Sequence, residues 1–174
     1  MDYILYHGTA NSNAENIIQT GKFIARHKEI HYLGQGIYFY ETPKRAENWI
    51  KVFYGSCGVV LRANISVDSN DILDLRKKEH RKRVVSIVKQ LKQLTPYNIE
   101  QQDIETNFKK YRCFLYDCIS LETKCKLLIS NVINSSELWA LSVPDEKDLQ
   151  YCVKDNSIIT SVSMFREVKD WLIV

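Results

Sequence analysis

Gly34-Gln35-Gly36-Ile37-Tyr38-Phe39-Tyr40-Glu41-Thr42-Pro43-Lys44-Arg45-Ala46-Glu47-Asn48-Trp49 carries three structural signals in sixteen residues. A glycine-rich approach leads into an aromatic strand, Gly36–Tyr40. Thr42-Pro43 then opens a helix to about Tyr54, with proline at the first position, where its missing N–H costs nothing. A second short stretch belongs with it. Tyr6-His7-Gly8-Thr9 reads as a strand, Tyr3–Tyr6, that ends on a histidine and a glycine. A glycine at that point lets a ligand reach the main chain, whose N–H and C=O can pair with an amide.

Working outward, Asn11 or Ser12 starts a helix to about Thr20, with Ile17 and Ile18 inward and Gly21 as its left-handed stop. Residues 22–35 form a polar loop. Val59–Val67 alternates Val59, Leu61, Ala63, Ile65 and Val67 against Val60, Arg62, Asn64 and Ser66, a long strand with one polar face. Ile72–Leu75 is a short strand. Residues 76–135 are lysine-rich and helical in period, with an apolar stretch at Phe114–Ile133 that suits a buried helix, and they read as a helical insertion within one domain. Leu138–Val143, Leu149–Val153 and Ile158–Val162 are three further strands. The pattern predicts an α+β domain of two small sheets around a cleft, with mostly antiparallel connections and peripheral helices. No G-x-G-x-x-G follows the first strand, which removes the fingerprint of a doubly wound dinucleotide fold.

The bulk numbers narrow the class. With 174 residues and 45% hydrophobic content, a single domain with a full core is expected. No apolar run approaches the roughly 18 residues of a membrane span, so no membrane partner is expected. Met1–Leu5 reads as the first strand, not a leader. Five cysteines without a C-x-x-C pair predict reduced thiols in the cytoplasm. The same composition excludes a structural zinc, and Asp68, Asp71 and Asp74 read as turn and strand-edge residues, so no metal is assigned. A net charge of +3 does not by itself imply nucleic-acid binding.

Together, the two stretches resemble the nicotinamide pocket of ADP-ribosyltransferases of the diphtheria-toxin and poly(ADP-ribose) polymerase type. The likeness covers residues 3–67 and 149–160, with Gly36 and Tyr38 in register and Trp49 where the polymerases carry a tyrosine. It implies an ADP-ribosyltransferase-like split β-sandwich around an NAD cleft. NAD is then a substrate. His7 and Thr9 hold the ribose, the Gly8 main chain holds the carboxamide, and Tyr38 and Trp49 clamp the nicotinamide ring, each stack contributing about 1 kcal/mol. The resemblance further implies mono-ADP-ribosylation of a protein or nucleic acid by a bacterial-type toxin or effector, with a cognate inhibitor or antitoxin as a further partner.

The family also places a glutamate at the start of a late strand. Leu149-Gln150-Tyr151-Cys152-Val153-Lys154-Asp155 matches that segment with Gln150 at the glutamate position. Glutamine accepts a bond from the ribose 2′-hydroxyl but brings no charge to the developing oxocarbenium ion. The loss can reach several kcal/mol, or factors of hundreds to thousands in rate. Three readings follow: a site working with Gln150, a shifted register using Glu146 or Asp148, or a domain that binds NAD without transfer. Alternation favours Gln150, which shares a face with Cys152. An RNA 2′-phosphotransferase is a further alternative, for which Arg45 and Arg62 are the available arginines. The basic run Arg76–Arg83 reads either as a solvated helix start or as a footprint for RNA or DNA.

Overall fold

A computed structural model describes residues 1–25, 27, 31–55, 57–94, 104–131 and 149–168. The elements run β1 (Asp2–Ala10), α1 (Asn11–Thr20), β2 (Ile37–Phe39), α2 (Pro43–Tyr54), β3 (Gly58–Ser66), β4 (Ile72–Asp74), α3 (Lys78–Leu94), α4 (Ile104–Thr123), β5 (Leu127–Asn131), β6 (Leu149–Val153) and β7 (Ile159–Val168). Two sheets result, one ordered β1-β3-β7 and the other β2-β6-β5-β4. All pairings are antiparallel except β4 with β5, which are parallel and joined through α3 and α4.

The architecture is α+β, in layers set by strand alternation. Leu5, Leu61, Ala63 and Ile65 of the first sheet meet Phe39, Leu127, Ile129, Tyr151 and Val153 of the second in one buried core between the sheets. On the outside of the second sheet, Leu73, Leu128 and Cys152 receive Val84 and Ile87 of α3 and Tyr116 and Ile119 of α4. Outside the first sheet, Val60 and Val168 receive Ala46 and Ile50 of α2. The helical segment after β4 is therefore a cover for one sheet face, not a separate unit.

Several boundaries differ from the sequence reading. β1 runs through His7-Gly8-Thr9, because all nine of its residues pair with β3. His7 thus lies inside a strand, not at its end. Helix α1 begins at Asn11 with Ala10 at its cap position and no side-chain cap, while Gly21 takes φ 67° and closes the helix on Ile17 O as expected. The apolar stretch Phe114–Ile133 is not one buried helix. The chain turns at Lys124 (φ 54°), and Leu127–Asn131 becomes a strand buried on both faces, which leaves no period to separate it from helix. The expected strand Leu138–Val143 lies outside the described residues. No helix among the described residues is long and apolar enough to cross a membrane.

Candidate functional site

Among the described residues one bridge joins the edges of the two sheets, Tyr6 with Tyr40, made by reciprocal main-chain bonds of 2.8 Å. In register, the next rung would join Gly8 to Tyr38, but no bridge forms there. His7 Nδ1 instead donates to Tyr38 O at 2.8 Å, since a carbonyl can only accept. The imidazole occupies the place where the ladder would continue. Strand alternation turns the main-chain N–H and C=O of Gly8 toward the same opening as those of Tyr6.

His7 packs between Phe23 and Phe39, with ring centroids 5.1 and 5.5 Å away. Phe23 is fixed by Asn156, whose side chain accepts from Phe23 N at 3.2 Å and donates to Phe23 O at 3.0 Å. Burial pushes the His7 pKa below its ordinary 6.5, and the bond to Tyr38 O opposes this only partly. The ring is therefore neutral at pH 7, with its proton on Nδ1 and its lone pair on Nε2. Thr9, two residues on, is buried.

Gly8 has a packing role as well. A Cβ there would lie 2.6 Å from Ala46 O and 2.8 Å from Ile50 Cγ1, so the missing side chain seats α2 against β1. That helix in turn presents Trp49 outward. Arg45, Asn48, Trp49, Val52 and Phe53 of α2, with Tyr40 and Gln150, line a groove of about 330 Å³. Such a volume is at the small end of the range for ligand sites. Trp49 and Phe53 lie 4.8 Å apart by ring centroid, one helical turn from each other.

Gln150 stands on the outward face of β6, in the row that continues to Tyr40 beyond the Phe39–Tyr151 pair. Its Oε1 is buried and has no hydrogen-bond partner among the described residues. An unsatisfied buried acceptor costs about 1–3 kcal/mol. Gln150 also lines the groove, so its side chain offers an acceptor for which the described residues supply no donor. No carboxylate lines the groove among the described residues. Glu146 and Asp148 lie outside those residues.

The structure thus brings Trp49 and Gln150 together and links His7 to Tyr38, but it does not gather all four around one cavity. The expected Tyr38–Trp49 clamp is not formed. Tyr38 faces the α3–α4 side of its sheet, where its hydroxyl accepts from Leu33 N at 2.7 Å and donates to Gly34 O at 2.8 Å. Its ring stacks on His31 at 5.4 Å. Tyr40, two residues later on the same strand face, lines the groove with Trp49 instead. At Gly36 a Cβ would meet Cys152 Sγ and Val153 O. Its glycine identity serves the packing of the loop on β6.

Sequence reading missed the residues that hold loop 31–36. Asp117 on α4 accepts from Gln35 N at 2.6 Å and pairs with Lys154 at 3.7 Å. Lys154 Nζ donates to Leu33 O and Gln35 O at 2.7 and 2.6 Å. Only the fold brings residues 33, 117 and 154 together, so no local signal marked them. The i, i+3, i+7 spacing of Arg45, Asn48 and Val52 could have marked the groove face of α2. Among the described residues, no group of three His, Cys, Asp or Glu side chains is placed to hold a metal.

The chain is similar to the uncharacterized protein MJ0359 of Methanocaldococcus jannaschii, 33% identical over 92 residues. The match spans 47% of this chain and 42% of that protein, so less than half of either is covered. No family model and no solved structure matches the chain.

Proposed function

We propose that the chain is an ADP-ribosyltransferase-like split β-sandwich that binds NAD and transfers one ADP-ribose to a macromolecular acceptor, releasing nicotinamide. The observation that carries the reading is Gln150, which lines the same groove as Trp49 and whose buried Oε1 has no partner among the described residues. A planar pyridine ring stacks on Trp49, and Tyr40 supplies the facing wall in place of Tyr38. The ribose 2′-hydroxyl donates to Gln150. The dinucleotide then runs past the open edge of β1, with the Gly8 main chain, Thr9 and His7 Nε2 as its hydrogen-bonding partners. As the glycosidic C–N bond lengthens, nicotinamide leaves with the bonding pair, and an acceptor nucleophile forms the new bond at the anomeric carbon. Without a carboxylate to activate an incoming ribose, transfer stops at one unit. The same resemblance supports a cytoplasmic toxin or effector held in check by an inhibitor.

A second reading, an NAD-binding protein without transferase activity, draws on the uncharged Gln150. The phosphotransferase reading has less support, because Arg62 lies exposed on β3 and only Arg45 reaches the groove. Incubation with NAD labelled on its adenylate, together with protein, RNA and DNA, separates the three. Label carried onto a macromolecule supports transfer, and binding without nicotinamide release supports the second reading. A calorimetric titration with NAD that evolves no heat refutes both.

A further inference from the structure

The charge of this chain is concentrated in one place. Residues 76–83 hold six cations against Glu79, a net of +5, while the whole chain carries +3, so everything else sums to −2. In the fold, Arg76 is bound twice by Asp74 at 2.9 Å, and Arg81 is spent on Leu75 O and Arg76 O at 2.8 and 2.6 Å. Lys77, Lys78, Lys82, Arg83 and, one and a half turns further on, Lys89 are exposed. They form no ion pair among the described residues. Val84 and Ile87 of the same helix are buried against the sheet, which turns these cations outward.

Register places the segment at the groove end of the second sheet. Asp74, Ile129, Tyr151 and Phe39 form one row across its four strands. The next row runs from Leu75, which donates to Ile129 O, through Ser130 and Gln150 toward Tyr40. The basic segment begins immediately beyond it, two strand spacings or about 10 Å from the strand of Gln150. Val52 and Phe53, both exposed, are among the residues that line the groove.

We propose that Lys77, Lys78, Lys82, Arg83 and Lys89 form the phosphate-binding track of a single-stranded nucleic acid whose bases reach the exposed aromatic groove wall at Phe53. As an acceptor class this rests on the transferase reading, whereas the binding itself does not. A lipid surface fits less well, since a membrane-surface helix sets apolar side chains beside its cations. The outward face of α3 instead carries Glu79, Ser86 and Gln90.

The test is fluorescence anisotropy of the full chain with labelled RNA and DNA oligomers of about 16 nucleotides, across a salt series. Five phosphate contacts give a log–log salt slope of about −3.5, or roughly a hundredfold weaker binding between 50 and 200 mM salt. The combined variant Lys77→Gln, Lys78→Gln, Lys82→Gln, Arg83→Gln is expected to cut affinity at least tenfold and bring the slope near −0.7. Its melting temperature and NAD titration heat are expected to match the parent. Failure of the parent to bind either oligomer at 50 mM salt overturns the proposal, as does a variant that binds within twofold of it. Equal displacement of the oligomer by polyglutamate also overturns it, by showing a site for any polyanion. Loss of NAD heat in the parent chain, with oligomer binding intact, refutes the transferase reading and leaves this track standing.

Discussion

Gly8→Ala tests the packing on which the groove depends. The added Cβ would sit 2.6 Å from a helix carbonyl, Ala46 O, and 2.8 Å from Ile50 Cγ1. A carbonyl inside a helix cannot swing aside as a side-chain tip would, so α2 must move outward by several tenths of an ångström. Overpacking of this kind costs about 1–3 kcal/mol. Alanine restricts the unfolded chain and returns about 0.4–1 kcal/mol. A net loss near 1.5 kcal/mol corresponds to a fall in Tm of about 3–6 °C for a domain of this size. Because Trp49 and Arg45 ride on the same helix, binding in the groove is expected to weaken along with stability. Calorimetric melting and an NAD titration measure both. Gly21→Ala is the control: it meets nothing within 4 Å, but it strains a φ of 67°, so it lowers Tm without touching the groove. A Gly8→Ala protein that melts with the parent and binds NAD with the same heat would show that α2 is not seated on this glycine.

Three further outcomes follow from the same geometry. Trp49→Ala removes one face of the ring stack, about 1 kcal/mol, and is expected to weaken NAD binding about fivefold in a calorimetric titration; an unchanged Kd refutes the stacking role. Gln150→Leu removes the unsatisfied acceptor and is expected to raise Tm by about 2–4 °C, from roughly 1 kcal/mol regained, while abolishing nicotinamide release. A lower Tm would mean that Oε1 is satisfied within the fold. Because burial lowers the His7 pKa, the unfolded chain takes up a proton at mildly acidic pH that the folded chain refuses, and stability rises with pH there. That contribution is complete above about 6.5 and is lost as pH falls toward the lowered folded value. Melting curves from pH 5 to 8 are expected to show a slope that His7→Phe flattens, and an equal slope in both proteins argues against a neutral His7.

Much of this molecule was readable in one dimension, and the limits have physical causes. Helix α2 matches its expected span because Thr42-Pro43 and Gly55 mark both ends. Strand β3 shows its polar and apolar faces openly. β5 was hidden because a strand buried on both faces has no period, and it continues an apolar helix with only Lys124-Cys125-Lys126 between them. The pairing of Trp49 with Gln150 followed from the resemblance. That Tyr40 and not Tyr38 lines the groove did not, because the Tyr38 hydroxyl is held by the preceding loop at Leu33 and Gly34. The hold of Asp117 and Lys154 on that loop joins residues more than 80 positions from it.

One property ties the groove to the basic segment. A carboxylate at position 150 would stabilise an oxocarbenium ion, but it would also repel a phosphate backbone approaching the same opening. The described groove carries Arg45 and no acid; Glu41, beside Tyr40, accepts from the Tyr151 hydroxyl at 3.2 Å, and the segment 76–83, net +5 by sequence, begins across the sheet from it. The strand of Gln150 and the strand that leads into this segment are two spacings, about 10 Å, apart, about one Debye length at 0.1 M salt, so charges at the two places can act on a shared ligand. A polyanionic acceptor gains binding energy at every phosphate, and energy of that kind can hold the nucleophile at the anomeric carbon and offset part of what the missing carboxylate withholds. On the proposed reading, glutamine at position 150 keeps a 2′-hydroxyl contact without opposing such an acceptor.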